Sequence, residues 1–369
     1  MKKITVLLFL AIVLASGSAS AGNASDELRT IKIVPDPGFG QGVPWDSIFN
    51  QGRDKSLAFL TDGSFYRGSN QEGKIYKFDA GGKSLKSFGR KGQGPGDLSG
   101  IAALDILDGK TLVAFDGGRS LSLFDLEGNF IKKIALSGTI WAMNALRNGH
   151  VALVREISAA PEPKWFKGRY SAFSLDLETG TEKEFASFEY AAPRGEFFIR
   201  ITQFDRYVRL AKAGPDALVL GFPSTPEIFL FTLNGEKTGA FKLDIEPVKF
   251  TWDILSFVMD LDHDEKGRQI MTLNKSKVAL PEFLPYFLAV AGDSEGLIVL
   301  LENNYARKTH DVTFRIQAQD GKLLSRVRIE PGAFEAVPPF HFRNGYAYSW
   351  LAAKDGDGTF VFGRWKFGN

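Results

Sequence analysis

Apolar and polar residues alternate along most of the chain in short segments separated by polar turns that contain glycine. Alternation with a period of two residues is typical of β-strands that bury one face. Two such segments joined by a short turn predict a β-hairpin. Five hairpins of this kind occupy residues 75–88, 121–134, 171–188, 228–243 and 313–329.

A second hairpin precedes each of these five, and a further one lies near the C-terminus. These hairpins occupy residues 56–68, 101–116, 142–156, 208–222, 287–302 and 340–350. Four of their turns are Asp-Gly or Asn-Gly, which favour the positive φ angles of tight hairpins: Asp62-Gly63, Asp108-Gly109, Asn148-Gly149 and Asn344-Gly345. Two successive hairpins make a four-stranded antiparallel sheet, and a series of such sheets predicts the blades of a β-propeller.

The sixth blade has only three strand segments in the C-terminal sequence. Residues 28–34 form an unassigned strand pattern that ends before Pro35. Pairing this strand outside residues 359–362 would complete blade six and leave no open sheet edge. The sequence therefore predicts an all-β fold, a six-bladed β-propeller with four-stranded antiparallel blades, closed into a ring by the N-terminal strand in the last blade.

Blade two carries a recognisable pattern. Residues 111–134 resemble an NHL repeat, and FGRKGQGPGDL at residues 88–98 resembles the interblade loop of bacterial six-bladed propellers. The chain is thus similar to the NHL-repeat-like members of the TolB-like propeller superfamily. This resemblance implies a six-bladed propeller over nearly all of the chain, and it implies no particular activity.

Loop length differs between the two faces of the predicted ring. With strands named a to d from the axis outwards, the a–b and c–d turns lie on one face, which we call the turn face. The b–c and d–a connections lie on the other, the insertion face. All long connections belong to the insertion face, at residues 38–54, 90–100, 158–169, 189–207 and 246–285. Long loops often carry function, so we expect the functional surface there, the alternative being that they only cap the axial channel.

The longest of these connections differs in character from the others. Within residues 246–285, Ile254, Phe257, Val258 and Leu261 recur at helical spacing. We therefore expect a helical insertion that forms a small lid.

Charged residues end four of the six b strands, where we expect the insertion-face mouth of the axial channel. They are Arg67, Asp116, Arg155 and Glu302. The first three fall on consecutive blades, which leaves two interpretations. They form an ion-paired cluster that neutralises itself, or they form an anion site in which one guanidinium binds a carboxylate or phosphate.

Basic and aromatic residues are interleaved in two of the long connections. They are Lys164, Trp165, Phe166, Lys167, Arg169 and Tyr170, followed by Arg194, Phe197, Phe198, Arg200, Arg206 and Tyr207. This mixture suits a sugar, peptide or anionic polymer, and the alternative is packing within the loops. The predicted ligand-binding residues are Arg67, Asp116, Arg155, Trp165, Arg200 and Glu302.

The N-terminus predicts export. Lys2 and Lys3 precede an apolar run at residues 4–15, and small residues around Ala21 form a cleavage site, so residues 1–21 are predicted to be a signal peptide. The remainder, residues 22–369, is predicted to be a single propeller domain, located in the periplasm or secreted. Since the apolar run is shorter than a bilayer requires, we expect no membrane insertion after signal removal.

The amino-acid composition limits which partners and which kinds of metal site the protein can have. The chain has no cysteine, which excludes disulfides and thiolate metal sites. Removing Lys2 and Lys3 from the 45 basic residues leaves 43 against 43 acidic ones, so no nucleic-acid partner is expected. The four histidines do not show the paired spacing of metal ligands, and the sequence indicates no cofactor or metal. A divalent ion such as calcium is possible but not indicated.

Two functions fit these observations. The first is an exported binding or interaction scaffold that holds a protein, peptide or glycan of the cell envelope on the insertion face. The alternative is a metal-dependent hydrolase, lactonase or lyase with its site in the axial channel around Asp116 and Glu302. The enzyme alternative is based on gluconolactonase-like six-bladed propellers, which hold a divalent cation in the channel. The enzyme alternative predicts one tightly held divalent ion. The binding scaffold predicts ligand binding without turnover.

Overall fold

A computed structural model describes residues 28–49, 56–117, 119–158, 165–193, 208–259, 282–304, 311–330, 333–353 and 360–367. Their strands form six sheets, and within each sheet successive strands of the chain pair with one another, apart from the first strand, which joins the fifth sheet. The six-bladed β-propeller expected from the sequence is confirmed. The predicted signal peptide lies outside the described residues, and the division into signal and domain stays a prediction.

The first three blades each have four antiparallel strands. Blade one contains β2 (Leu57–Phe59), β3 (Phe65–Ser69), β4 (Lys74–Phe78) and β5 (Ser84–Phe88). Blade two contains β6 (Ile101–Leu107), β7 (Thr111–Asp116), β8 (Ser120–Asp125) and β9 (Phe130–Ala135). Blade three contains β10 (Thr139–Ala145), β11 (His150–Ser158), β12 (Trp165–Asp176) and β13 (Glu182–Pro193).

The last three blades differ at their outer edges. Blade four contains β14 (Arg209–Ala213), β15 (Ala217–Gly221), β16 (Glu227–Thr232) and β17 (Lys237–Lys242). Blade five contains β18 (Phe287–Gly292), β19 (Ile298–Glu302), β20 (Thr313–Gln317) and β21 (Leu323–Glu330), and it gains β1 (Leu28–Lys32) as a fifth strand. Blade six has three strands, β22 (Phe334–Arg343), β23 (Tyr346–Ala353) and β24 (Phe360–Lys366).

Three of the four Asp-Gly and Asn-Gly turns show two successive positive φ angles, as their sequences favour, whereas at Asp62-Gly63 only the glycine has a positive φ angle. Asn148 and Gly149 have φ angles of 54° and 77°, and Asn344 and Gly345 have φ angles of 51° and 75°. Two successive positive φ angles define the type I′ turn, whose twist matches that of the flanking strands. These dipeptides therefore fix the hairpins of blades three and six locally.

The core lies between blades, and burial falls from the axis outwards. Strand b is covered by a neighbouring blade on each side, so every residue of β15 and β19 is buried. The outermost strand β9 instead alternates between half-buried and exposed residues. This gradient explains why the b strands are nearly continuous in apolar residues whereas the outer strands alternate.

The ring closes differently from the sequence prediction. β1 does not pair in blade six; it runs parallel to β21 in blade five, with Leu28 opposite Arg326 and Lys32 opposite Glu330. The chain then crosses to blade six, where Pro35 forms an isolated bridge with Trp365. The predicted pairing of residues 28–34 outside residues 359–362 is therefore wrong, although the residues that follow them contact blade six.

The sequence that follows β1 explains this closure. Pro35, Pro37 and Pro44 lack the N–H that a strand ladder needs, so this segment cannot continue as a regular fourth strand. It instead forms turns and α1 (Trp45–Ile48). Side-chain packing replaces the ladder: Phe39, Trp45 and Phe49 are buried against Phe65 and Phe78 of blade one and Trp350 and Phe362 of blade six.

The long connection between blades four and five contains a helix. α2 (Trp252–Met259) lies within the predicted insertion at residues 246–285, and it buries Ile254 and Leu255. Residues 260–281, including Leu261, lie outside the described residues, so a lid stays a prediction. Within the part of the chain that the structure describes, no helix is both long and apolar enough to cross a membrane.

Candidate functional site

Asp116 and Glu302 end their b strands as predicted, whereas Arg67 lies two residues before the end of β3 and Arg155 three residues before the end of β11. Each lies opposite the first or second residue of the neighbouring a strand, as shown by Leu57 with Arg67, Ile101 with Asp116, Ile140 with Arg155 and Phe287 with Glu302. Their side chains, however, contact groups in the blades and at the seam. The structure therefore does not bring Arg67, Asp116 and Arg155 together as one ion-paired cluster.

Arg67 lies in the seam between blades six and one. It is 2% exposed, and its guanidinium carbon lies 3.9 Å from the ring centroid of Phe362, 4.6 Å from that of Trp350 and 4.7 Å from that of Phe49. A guanidinium over aromatic rings gains cation–π attraction, which increases as water is excluded. Arg67 therefore contributes to ring closure.

Asp116 is held at the insertion-face end of blade two. Its Oδ1 accepts hydrogen bonds from the backbone N–H groups of Ser99 and Gly100 at 2.7 and 2.9 Å, and Oδ2 accepts one from Lys133 Nζ at 2.7 Å. Asp116 is only 1% exposed. The carboxylate thus ties the blade one–two crossover to the outer strand β9.

Arg155 occupies the equivalent place in blade three. Its two terminal nitrogens donate to both oxygens of Glu182 at 2.7 and 2.6 Å, while the guanidinium lies 4.3 Å from the Phe173 ring centroid. This fork is the strong form of an arginine–carboxylate pair. Hydrogen bonding from Arg155 lowers the pKa of the Glu182 carboxyl below its usual range.

Glu302 forms the corresponding pair in blade five. Arg326 donates from Nε and Nη2 to its two oxygens, each at 2.8 Å, and Arg315 Nη1 lies 3.4 Å from Oε1. Glu302 is 8% exposed. Asp116, Arg155 and Glu302 therefore follow one rule, because each pairs with an opposite charge on the fourth strand of its own blade.

These ion pairs can be recognised in the sequence only when the charges of the d strands are compared with those of the b strands. Lys133, Glu182 and Arg326 each stand in the predicted d strand of the same blade as their partner, with the opposite sign. Comparing charges along one blade would have suggested these pairs. Whether any of the four b-strand residues also binds a ligand stays a prediction.

The aromatic and basic residues predicted in loops lie partly in strands. Trp165 begins β12, so the predicted loop at residues 158–169 is wrong over its second half. β12 and β13 have 12 residues each, whereas β4 and β5 of blade one have five. At ~3.3 Å per residue, blade three extends roughly 20 Å further than blade one. Arg200 lies outside the described residues.

Two large apolar side chains of blade three are exposed, Ile157 in β11 and Trp141 in β10. Ile157, opposite Arg169, is 38% exposed. Trp141 is 40% exposed and lies at a bulge in β10, where its Nε1 donates to Glu156 Oε2 at 2.8 Å. A bulge reorients a side chain away from the regular strand pattern, which is why the alternation in the sequence did not identify Trp141.

A cavity of about 670 Å³ occupies the axial channel towards the turn face. Inner strands of all six blades line it, together with a–b turn residues that include Gly109, Pro215 and Ser294. Its charged lining residues are Asp105, Lys212, Asp293 and Arg343. The four charged b-strand residues, Arg67, Asp116, Arg155 and Glu302, do not line this cavity. They are therefore separate from the four charged residues of the cavity wall.

Three of these groups have close polar contacts. Lys212 Nζ lies 2.8 Å from Asp105, which also accepts the Ala145 backbone N–H at 2.7 Å. Asp293 Oδ1 accepts the N–H groups of Glu295 and Leu297, while burial raises the pKa of the Asp293 carboxyl. Among the described residues, no group of three His, Asp or Glu side chains is arranged to hold a metal ion.

Comparison with known proteins supports the fold. A member of the DUF4221 family from Bacteroides vulgatus ATCC 8482 has a TM-score of 0.55 at 10% identity, covering 90% of this chain and 97% of that one. A candidate exported protein from Bacteroides fragilis NCTC 9343 has a TM-score of 0.49 at 12% identity, covering 90% and 86%. Streptogramin B lyase has a TM-score of 0.42 at 13% identity, covering 88% and 85%.

At 10% identity, the DUF4221 protein indicates a shared fold and no more. No known protein family and no curated protein matches the chain by sequence. The six sheets of the structure confirm the resemblance to six-bladed propellers as architecture.

Proposed function

We propose that the protein is an exported binding propeller that engages a protein partner through the extension of blade three on its insertion face. The observation that carries this proposal is the length of β12 and β13, which extends blade three beyond the other blades. The signal-peptide pattern at residues 1–21 supports export, and an exported protein would meet its partner in the periplasm or outside the cell.

The composition of the extension favours a protein over a glycan. Ile157 is an exposed aliphatic side chain with Arg169 opposite it, and Arg169 pairs with Glu184 at 3.0 Å. An apolar centre surrounded by charged groups is typical of protein interfaces, where tryptophan and arginine contribute strongly to affinity. Trp141 adds an aromatic side chain at the base of the extension.

The acids of the alternative function have other partners. Asp116 and Glu302, the carboxylates suggested for a metal-dependent hydrolase or lyase, each accept charge-assisted hydrogen bonds from a basic residue of their own blade. A metal would have to displace Lys133 or Arg326 from these carboxylates. The binding function requires no such rearrangement, so we prefer it.

Site-specific photocrosslinking in intact cells tests the proposal. A photoreactive amino acid replaces Trp141 or Ile157, and the matched control replaces Leu85, which is also apolar and is 54% exposed on the outer strand of blade one. We expect a protein adduct in the exported fraction from position 141 or 157 and none from position 85. Equal adducts at all three positions, or none at 141 and 157, would contradict the proposal.

A further inference from the structure

We propose that the axial cavity on the turn face is a second, separate binding site, which takes the carboxylate or phosphate group of a small molecule and holds it with Arg343. This site lies on the face opposite the blade three extension, so it does not depend on the protein partner proposed above. Its volume of about 670 Å³ falls within the range of small-molecule sites.

Among the described lysine and arginine side chains that line the cavity, Arg343 is the one without an ion-pair partner. It ends β22, and its guanidinium carbon lies 5.4 Å from the ring centroid of Phe59. Its Nε is buried without a hydrogen-bond partner, and across the described ranges no carboxylate lies within ion-pair distance of the guanidinium. Asp62 and Tyr348 act on it only through longer-range electrostatics.

The other charges of the cavity wall do not neutralise Arg343. Lys212 and Asp105 neutralise each other across the channel at 2.8 Å. Asp293 directs one oxygen to the N–H groups of its own turn. Both acids therefore have partners of their own, which leaves Arg343 as the cavity cation that lacks an anion in the described part of the chain.

A half-buried cation without an anion is costly, because burial removes water from the guanidinium without supplying another partner. The same burial lowers the pKa of Arg343, although an arginine remains charged under ordinary conditions. An oxyanion that entered the cavity would recover this cost, and the planar guanidinium can donate two parallel hydrogen bonds to it. The Phe59 ring restricts the guanidinium from one side, which reduces the entropy lost on binding.

Isothermal titration calorimetry of the mature protein with inorganic phosphate, and separately with succinate, tests the site. We expect at least one of the two to bind with a dissociation constant of ~1 mM or below, equivalent to about −4 kcal/mol. The variant Arg343→Gln should weaken that binding at least ~10-fold, the loss of one charge-assisted contact. The probe that binds then identifies the ligand group as phosphate or carboxylate.

Two further variants control the interpretation. Arg147→Gln removes an exposed arginine of the turn face that already pairs with Asp216, so it should leave binding unchanged. Arg343→Lys keeps the charge but loses the fork, and we expect intermediate affinity. The proposal is overturned if neither probe binds up to ~20 mM, far above the expected dissociation constant, or if Arg343→Gln, folded by circular dichroism, binds as tightly as the original protein.

Discussion

The two faces of the propeller hold their charges in different ways. On the insertion face, Asp116, Arg155 and Glu302 are paired with opposite charges on the outer strands of their own blades. On the turn face, Arg343 lines a cavity with an aromatic ring on one side and no acid within ion-pair distance among the described residues. The first arrangement stabilises individual blades, whereas the second leaves a charge for a ligand.

This difference shows that the position of a charge in the fold does not by itself identify a binding site. The b-strand ends were predicted to surround the channel mouth, yet three of them join strand b to strand d. Arg343 lies in an a–b hairpin without a distinguishing motif. What separates the two cases is the presence of a counter-charge, which the alternation of apolar and polar residues does not reveal.

The largest expected effect comes from breaking the pair in blade five. Glu302→Gln removes the negative charge from a group that is 8% exposed, and with it the ion pairs of Glu302 with Arg326 and Arg315. Removing one partner of a buried ion pair is strongly destabilising, so the free energy of unfolding should fall by about 3 kcal/mol. Urea unfolding followed by circular dichroism measures this change.

The matched control is Glu184→Gln in blade three. Glu184 forms a pair with Arg169, but both side chains are more than one-third exposed. An exposed pair contributes less than about 1 kcal/mol. Similar losses in the two variants would mean that burial does not distinguish the pairs of the insertion face.

A smaller effect of opposite sign is expected on the turn face. Arg343→Gln removes a half-buried charge that has no counter-charge among the described residues, so the free energy of unfolding should stay unchanged or rise by up to about 1 kcal/mol. The same substitution at Arg326, whose partner is Glu302, should instead destabilise the protein. If Arg343→Gln destabilises as much as Arg326→Gln in urea unfolding, the contrast between the faces is wrong.

The smallest effects are in the dependence of stability on pH. Arg155 lowers the pKa of Glu182, so this carboxyl contributes stability above its unfolded pKa and loses that contribution as the pH falls through its folded pKa. Burial raises the pKa of Asp293, so its contribution is present below the unfolded pKa and is lost as the pH rises through the folded pKa. As the pH rises, the Glu182 carboxyl therefore increases the stability of the fold, whereas the Asp293 carboxyl decreases it.

Melting temperatures at pH 3 and pH 7 test this contrast. Glu182→Gln should lower the melting temperature at pH 7 and change it little at pH 3. Asp293→Asn keeps an acceptor oxygen and should raise the melting temperature at pH 7, with a smaller change at pH 3. Shifts of the same sign for both variants at pH 7 would contradict the assignment.

The sequence predicted the local elements well because their causes are local. Asn148-Gly149 and Asn344-Gly345 adopt the positive φ angles expected of them, since few other residues tolerate that backbone. The helix within residues 246–285 was visible from its apolar spacing. The loop predicted at residues 158–169 was partly wrong, because Arg169 and Tyr170 alternate as strand residues and pair with Glu189 and Phe188.

The closure of the ring and the ion pairs of the b-strand residues depend on contacts between residues that are distant in the sequence. Residues 28–34 have a strand pattern that suits either outer edge, and the parallel pairing with β21 follows from packing at the blade five–six boundary. The prolines after Val34 were a local reason against a regular fourth strand in blade six. The partners of Asp116, Arg155 and Glu302 lie 17, 27 and 24 residues away, so they are found only by comparing charges between strands b and d of one blade and not from a local pattern.

By itself the sequence determined the blades, because alternation and turn residues specify each hairpin from its neighbours in the chain. It also determined that the chain forms six repeated sheets, since each four-stranded unit carries its own turns and apolar strands. Only the tertiary structure decided how the first and last blades meet, which charges neutralise each other, and that Arg343 stands in the axial cavity with no acid beside it in the described part of the chain. These depend on burial and distance between residues far apart in the chain, and hydrophobic periodicity contains no information about such contacts.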